Sequence, residues 1–325
     1  MNSIFLSIIV PVYNVEQFLR ECLDSIARLK SIRWEAILID DGSSDSSGLI
    51  CDEYAAEDSR FKVIHQKNAG VSAARNAGLE VIKGKWVWFV DSDDVVDGRC
   101  VDSICRRLNM DLSVDYVMFD LEKFDGKSPL QSGILDQTIN VKQEKTKNVF
   151  LLKYICSYHC TLWYRRDIID NFKIRFTLGI RNSEDGEFMA KYLMLMKTPV
   201  KVDYSIYYYR MREGSAMHLA SAKRNIIEDV PVVFFNLLDW MDAVGQKVEP
   251  WLDYWFLKMI QNLLVNASQY RNLDRKQFQE TINAMLEACA NKGFSFVNDR
   301  KMKLARWNVS AYFLINKIYL KLKGL

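Results

Sequence analysis

The stretch Trp86–Asp94, with the sequence WVWFVDSDD, joins an apolar run to three carboxylates within four residues. The run Trp86–Val90 is typical of a strand that helices cover on both faces. Acidic residues that directly follow such a strand lie at the carboxyl edge of an α/β sheet, where ligands bind. Because adjacent carboxylates repel one another unless a cation neutralises them, Asp91, Asp93 and Asp94 are candidate ligands of Mg²⁺ or Mn²⁺. An ordinary acidic turn explains this tetrad, taken by itself, equally well.

Further apolar runs of strand length lie on both sides of this stretch. They are Ile4–Val10, Trp34–Ile39, Phe61–Ile64, Tyr116–Phe119, Cys160–Tyr164 and Val200–Tyr209. Helical patterns lie between the first strands: one after Asn14, a good N-cap residue, a second capped by Ser43–Ser47, and a third over Val71–Val81. Alternating strands and helices predict right-handed crossovers, which gather the loops at the carboxyl ends of the strands. The sequence therefore predicts an α/β domain built on parallel strands.

The other strands of the first third also end in polar or glycine-rich loops. The first ends in Pro11–Asn14, the second in Asp40–Ser43, and the third is followed by Lys67–Gly78. Asp41 can accept hydrogen bonds from a base ring or from ribose hydroxyl groups. A solvated turn is the alternative interpretation of Asp41, and a structural ion pair is the alternative for Arg75.

The rest of the chain becomes increasingly helical. Residues 120–147 are polar and irregular, and their sequence indicates no function. A helix is predicted to begin near Glu184. Longer helical patterns cover Asn225–Val244, Trp251–Tyr270, Lys276–Ala290 and Arg300–Lys323. We therefore predict two units, residues 1–220 and residues 221–325.

Composition narrows the class of protein. The 44 basic and 41 acidic side chains leave a net charge of +3, which is too balanced to indicate nucleic-acid binding. None of the 7 cysteines forms a C-x-x-C pair, so they are expected to be buried thiols of a reducing compartment. Residues 1–5 lack a signal-peptide pattern, and no apolar run is long enough to span a membrane. A cytoplasmic location is the expectation.

The last 26 residues, 300–325, combine apolar residues at helical spacing with lysines and arginines. A basic amphipathic helix of this kind can lie on the inner face of a membrane and contact anionic headgroups. A helix that packs its apolar face on its neighbours is the alternative interpretation.

Four motifs in order resemble the inverting, GT-A-fold glycosyltransferases of glycosyltransferase family 2. They are Ser7–Asn14, Asp40–Asp45, Asn68–Gly78 and the tetrad Asp91–Asp94. The resemblance implies a Rossmann-like, mixed but mostly parallel sheet flanked by helices, with a helical C-terminal region. It also implies that Pro11, Val12, Tyr13, Asp41 and Arg75 contact the nucleotide. Asp93 would contact the nucleotide as well, and Asp91, Asp93 and Asp94 would hold the ribose and the metal ion.

The resemblance extends to the acceptor side. Glu184–Asp185 matches the family's E-D motif, so Asp185 is the predicted catalytic base and Glu184 its neighbour at the acceptor. Because acidic residues favour the first turn of any helix, a capping cluster is the alternative. Arg210 and Arg212 resemble residues of the loop that closes over the leaving diphosphate, which cationic side chains stabilise.

The implied reaction is transfer of a sugar from a nucleotide diphosphate, expected to be a UDP-sugar, to a hydroxyl of a glycan acceptor with inversion. The implied setting is bacterial surface polysaccharide assembly on a lipid-linked acceptor, with Mn²⁺ or Mg²⁺ as cofactor. A catalytically silent nucleotide-binding or scaffold protein on the same fold is the alternative. No G-x-G-x-x-G follows the first strand, and Gly78–Lys85 lacks the glycine spacing of a P-loop, which argues against dinucleotide-binding and P-loop enzymes.

Overall fold

The computed structural model describes residues 4–29, 33–98, 101, 104–105, 113–125, 140–154, 158–211 and 222–322. The chain divides into two compact units. The first comprises Met1–Gly179 and Glu184–Ser215, and the second comprises Ile180–Ser183 and Ala216–Leu325. The division after Ser215 lies close to the predicted boundary at residue 220, but the short segment Ile180–Ser183 groups with the second unit.

A mixed sheet forms the centre of the first unit. In the described residues its strands are β1 (Leu6–Val12), β2 (Trp34–Asp40), β3 (Phe61–His65), β4 (Trp86–Phe89), β5 (Val95–Val96), β6 (Tyr116–Phe124), β7 (Val141–Lys142), β8 (Leu162–Arg165) and β9 (Pro199–Arg210). Their order is β3-β2-β1-β4-β8-β6-β9-β5, and β7 pairs with β9. The first four strands are parallel, and β8 runs antiparallel between β4 and β6. The predicted mixed, mostly parallel sheet is confirmed.

Helices of the first unit follow the strands. They are α1 (Glu16–Ala27), α2 (Ser47–Glu57), α3 (Val71–Val81), α4 (Lys147–Lys153), α5 (Arg166–Asn171) and α6 (Glu184–Leu195). Helix α3 has the predicted bounds and packs closely on β1. A Cβ atom at Gly78 would lie 2.6 Å from Ile9 Cγ2, so only glycine allows this approach of helix to sheet.

One predicted helix cap is wrong. Asn14 does not cap α1, because its backbone is left-handed (φ 48°) and its side-chain oxygen accepts from the Ser44 N–H at 2.8 Å. The side chain of Asp45 contacts the first turns of both helices instead: it accepts from the Glu16 N–H at 3.1 Å and from the Ser47 N–H at 2.9 Å. The cap of α2 lies within Ser43–Ser47 as predicted, since Ser46 is the cap residue and Asp45 supplies the hydrogen bond.

Large aromatic side chains fill much of the space between sheet and helices. The rings of Phe119 and Trp163 lie 5.4 and 5.7 Å from the ring of Trp88, all three fully buried and in edge-to-face contact. Cysteines occupy the same apolar surroundings. Those that the structure describes are free and buried, as predicted: Cys22, Cys51, Cys105, Cys160 and Cys289.

The second unit is helical in its described residues. Its helices are α7 (Ala222–Val244), α8 (Pro250–Ser268), α9 (Arg275–Lys292), α10 (Arg300–Trp307) and α11 (Val309–Leu322). The ring of Phe256 joins α8 to α7 and to the turn after α9, with ring centroids 5.0 Å from Phe234 and 4.8 Å from Phe294. Helix α9 ends at the left-handed Gly293 (φ 82°), a common way for helices to stop.

The prediction of a single C-terminal helix over Arg300–Lys323 is wrong, because the helix is interrupted at Asn308. Asn308 is extended (φ −161°), and its side chain accepts from the Ala311 N–H at 3.0 Å, which caps α11 and starts a new helix. Met302, Val309 and Tyr312 are buried, so one face of this pair packs inside the unit. In the part of the chain that the structure describes, no helix combines the length and apolarity that crossing a bilayer requires.

Candidate active site

The loops after β1, β2 and β4 meet at one edge of the sheet because β1 lies between the other two strands. At this edge the Asp41 N–H donates to the Val12 carbonyl at 2.9 Å, and the Val90 N–H donates to the Ile9 carbonyl at 3.0 Å. Among the predicted nucleotide contacts, Tyr13 is exposed, Pro11 is half-buried and the Val12 side chain lies in the core. The structure thus brings the first predicted loop next to Asp41 and the tetrad.

Asp41 organises the loop after β3. Its carboxylate is buried and accepts hydrogen bonds from the Gln66 side chain (2.7 Å), the Ala69 N–H (2.9 Å) and the Gly70 N–H (2.8 Å). These contacts fix the entrance to α3, where Gly70 adopts a positive φ of 89°. A nucleotide contact by Asp41 stays a prediction, and the protein already uses several lone pairs of this carboxylate.

The tetrad is attached to β9 through Asp94. Asp94 is buried, and its two oxygens accept from the Tyr207 hydroxyl (2.6 Å) and the Arg210 N–H (2.7 Å). Burial, followed by the charges of Asp91 and Asp93, raises the pKa of Asp94 to about 8. The Tyr207 hydroxyl also accepts from the Asp91 N–H at 3.1 Å. Asp94 and Tyr207 therefore fix the shape of the loop that presents Asp91 and Asp93.

Arg210 also contacts the loop that carries the tetrad. Its Nε donates to the Asp93 carbonyl at 2.8 Å, and its guanidinium pairs with Glu21 at 2.5 Å. The guanidinium carbon lies 4.6 Å from the centroid of the Phe124 ring, and the side chain is buried. The predicted contact of Arg210 with a leaving diphosphate would require these interactions to change, and it stays a prediction. Arg212 lies outside the described residues.

Arg75 joins two motifs that are far apart in the sequence. Its side chain is only 5% exposed, and its two terminal nitrogens lie 3.1 Å from an oxygen of Asp91 and 3.1 Å from an oxygen of Glu184. The guanidinium carbon also lies 5.2 Å from the centroid of the Phe176 ring. Arg75 thus fixes the carboxyl end of β4 against the first turn of α6, as its alternative structural interpretation proposed. The predicted nucleotide contact of Arg75 is untested.

The first turn of α6 carries the predicted base. Asp185 is a third exposed, and its Oδ1 accepts from the Gly186 N–H at 2.7 Å. Its Oδ2 lies 3.3 Å from Nδ1 of His159. Burial by itself favours the neutral acid, but the hydrogen bond and charge of His159 and the charge of Arg75 outweigh it and lower the pKa of Asp185. Burial, followed by the charge of Asp185, raises the pKa of Glu184.

His159 is a site residue that sequence reasoning missed. It lies in a single 3₁₀ turn, His159–Thr161, directly before β8. The sequence around it carries no motif and no periodic pattern, so no local signal marks this histidine as a neighbour of Asp185. Only the pairing of β8 with β4 and the position of α6 bring the two side chains together.

The hydrogen bonds of the tetrad carboxylates indicate which of them could hold a metal ion. Among the described residues, no group of three or more His, Cys, Asp or Glu side chains is arranged to enclose an ion. Both oxygens of Asp94 already accept hydrogen bonds from the protein, which leaves Asp91 and Asp93 as the partly exposed members of the tetrad. Two carboxylates suit a Mg²⁺ or Mn²⁺ ion whose other ligands are water and diphosphate oxygens.

Replacing Arg75 by methionine is expected to destabilise the first unit. The change leaves Asp91 and Glu184 facing a buried space without their shared counter-charge, which costs on the order of 2 to 4 kcal/mol of unfolding free energy. Urea unfolding measures the difference. Arg175→Met is the matched control, because it removes a more exposed arginine that pairs with Glu80 at 2.8 Å. Equal stability of the two variants would contradict the bridging role of Arg75.

The chain is similar in sequence to known glycosyltransferases. Residues 7–172 match the model of Glycosyl transferase family 2. The glycosyltransferase GlyA of Streptococcus pneumoniae serotype 4 is 33% identical over 67% of this chain and 32% of its own length. The minor teichoic acid biosynthesis protein GgaB of Bacillus subtilis is 28% identical over 97% of this chain and 35% of its own length. The chain therefore spans about a third of each of these relatives.

A solved structure supports the fold over nearly the whole chain. The crystal structure of residues 1–349 of S. aureus TarS in complex with UDP-GlcNAc superposes with a TM-score of 0.73 at 20% identity, covering 98% of this chain and 92% of that one. The predicted GT-A fold with a helical C-terminal region is confirmed by this match. The chain belongs to glycosyl transferase family 2.

Proposed function

We propose that the chain is an inverting glycosyltransferase that moves a sugar from a UDP-sugar to a hydroxyl of a glycan acceptor. The observation that carries this proposal is the buried Arg75, which holds Asp91 of the tetrad and Glu184 of the E-D motif at 3.1 Å each. This shared partner supports the proposal, because it joins a residue expected near the donor phosphates to one expected near the acceptor. Charged groups held in fixed positions reduce the reorganisation that group transfer otherwise requires.

In the proposed reaction Asp185 is the general base. As the acceptor oxygen attacks the anomeric carbon, its proton passes to the Asp185 carboxylate, and the bond from that carbon to the diphosphate breaks on the opposite face. The low pKa of Asp185 keeps it ionised and ready to accept the proton. A divalent ion held by Asp91 and Asp93 would supply positive charge to the leaving diphosphate. Pro11, Tyr13 and the backbone at Val12 would border the nucleotide.

The identity of donor and acceptor follows from the relatives as a proposal. The TarS structure holds UDP-GlcNAc, and GgaB is a minor teichoic acid biosynthesis protein. We therefore assign a UDP-sugar donor, a cell-surface glycan acceptor carried on a lipid, and a site of action on the cytoplasmic side. The buried free cysteines agree with a reducing compartment.

A panel of nucleotide sugars tests the proposal. With Mn²⁺ or Mg²⁺ present, we expect binding of UDP-sugars and release of UDP, at a higher rate when glycan acceptors are added. Binding of nucleotide sugars without turnover of any of them would support the silent nucleotide-binding alternative. Absence of binding to every nucleotide would contradict both functions.

We also propose that residues 300–325 contact an anionic membrane surface. This segment contains seven basic and no acidic residues. Trp307 is 76% exposed in α10, and Leu314 and Ile315 are exposed in α11. Exposed aromatic and aliphatic side chains beside lysines suit the interface of a bilayer with anionic headgroups. If the acceptor is linked to a lipid, membrane contact would bring the enzyme and its acceptor to the same surface.

Vesicle sedimentation tests this surface. The full chain is expected to bind vesicles that contain phosphatidylglycerol weakly and in a salt-sensitive manner, and to ignore vesicles of phosphatidylcholine alone. Trp307→Ser together with Ile315→Ser should reduce binding several-fold, whereas Val265→Ser, at an exposed position of α8, should not. Substitutions are preferable to deletion, since the segment also buries Met302, Val309 and Tyr312. Unchanged binding in the double variant would contradict the proposal.

A further inference from the structure

His159 is buried at the edge of the candidate site. Its side chain is 5% exposed, and its ring centroid lies 6.0 Å from that of Phe89, the last residue of β4. Its Nδ1 is 3.3 Å from Asp185 Oδ2. The buried histidine therefore contacts the predicted base from the protein interior. The Asp185 side chain itself remains a third exposed.

The ring nitrogens of His159 have unequal surroundings. Nε2 is buried and has no hydrogen-bond partner among the described residues. A buried polar atom without a partner opposes folding, so a histidine contributes less to stability here than an apolar ring would. Since a carboxylate only accepts hydrogen bonds, the ring nitrogen that faces Asp185, Nδ1, carries a hydrogen. The imidazole is therefore better suited to bind the Asp185 carboxylate than to fill the apolar core.

Each oxygen of the Asp185 carboxylate faces a neighbouring group. Oδ1 accepts from the Gly186 N–H at 2.7 Å, and Oδ2 faces His159. The other charged groups that act on Asp185 are Arg75 and Glu184, and these two pair with each other. His159 is therefore the side chain whose donor can fix the rotation of the Asp185 carboxylate. One lone pair on each oxygen remains for an acceptor hydroxyl.

We infer that His159 is the positioning residue for Asp185, an inference that rests on the proposed function. The acceptor O–H bond breaks as the acceptor oxygen bonds to the anomeric carbon, and the proton moves to Asp185. The bond from the anomeric carbon to the diphosphate oxygen breaks, and its electron pair leaves with the diphosphate. The imidazole keeps its own Nδ1 hydrogen throughout, so His159 orients the base and stabilises its ionised form without exchanging a proton.

Two amide substitutions of similar size test the inference. The amide nitrogen of asparagine reaches the position of Nδ1, whereas that of glutamine reaches the position of Nε2. His159→Asn should therefore keep kcat within a few-fold of the wild type, and His159→Gln should lower kcat by on the order of tenfold to a hundredfold with the KM for donor unchanged. Cys160→Ala, in the same turn, is the control for general disturbance and should leave kcat unchanged.

The pH profile provides a second readout. In His159→Gln the carboxylate of Asp185 loses the partner that lowers its pKa, so the acidic limb of the kcat profile should move to higher pH. His159→Asn retains the hydrogen bond and should show a smaller displacement. A merely structural histidine would change thermal stability and leave this limb in place.

The outcomes separate this inference from the proposed function. Wild-type kcat and pH profile in His159→Gln, or equal losses in both amide variants, overturn the positioning role while Asp185 keeps its own. If His159→Gln does not fold, the asparagine variant decides: near-normal kcat supports the role, and a large loss overturns it. Absence of turnover in the wild type with every nucleotide sugar is a failure of the proposed function itself.

Discussion

Asp185→Asn is expected to bind the nucleotide sugar normally and to lose transfer by about a hundredfold or more, the usual scale for loss of a general base. The amide keeps the shape of the side chain, and its oxygen still accepts from the Gly186 N–H, but it cannot accept the hydroxyl proton. Single-turnover transfer measures the chemical step, and calorimetric titration with the donor measures binding.

The matched control for this variant is Asp167→Asn. Asp167 is also an acidic residue in the first turn of a helix, α5, and it pairs with Arg165 outside the candidate site. If Asp185 were only a capping residue, both variants would lose a little stability and retain turnover. Near-normal transfer by Asp185→Asn would place the base elsewhere, and Glu184 would be the first residue to test.

The second large effect is expected at the tetrad. Asp93→Ala should abolish transfer and leave the fold intact, because Asp93 is partly exposed on a loop whose shape Asp94 and Tyr207 maintain. Excess EDTA should abolish wild-type activity, and added Mn²⁺ or Mg²⁺ should restore it. Asp91→Ala should also be inactive, but it removes a partner of Arg75 as well, so Asp93 gives the cleaner comparison.

Glu57→Ala, at the exposed end of α2, is the control for loss of one surface carboxylate. Titration with Mn²⁺ then distinguishes a metal ligand from other roles: Asp93→Ala should bind the ion more weakly than the wild type. Full turnover by the wild type in metal-free buffer, or by Asp93→Ala at ordinary Mn²⁺ concentrations, would remove the metal from the account.

Local patterns in the sequence were sufficient to predict the parallel half of the fold. The apolar run Trp86–Val90 predicts β4 because a strand covered on both faces contains few polar residues. The helical pattern over Val71–Val81 predicts α3, which the structure places directly on β1. In these segments local propensity and tertiary environment favour the same structure, and the predicted and observed bounds differ little.

The supporting interactions of the site could not be predicted in the same way. Asp94 accepts its hydrogen bond from Tyr207, which is 113 residues away, so its sequence neighbours suggest a metal ligand and conceal its structural role. The contacts of Arg210 and His159 could not be predicted for the same reason, because their partners belong to other secondary-structure elements. Asparagine is a residue type typical of helix caps, yet a contact with the loop after β2 determines the conformation of Asn14 instead.

The anomeric configuration of the product tests whether Asp185 acts as the base of an inverting transfer. Proton NMR recorded during turnover of UDP-GlcNAc with Mn²⁺ should show that the transferred sugar, which is α-linked in the donor, is β-linked in the product. Asp185→Asn should form almost none of this product. An α-linked product would contradict displacement assisted by Asp185. Equal rates for the wild type and Asp185→Asn would contradict the account as a whole.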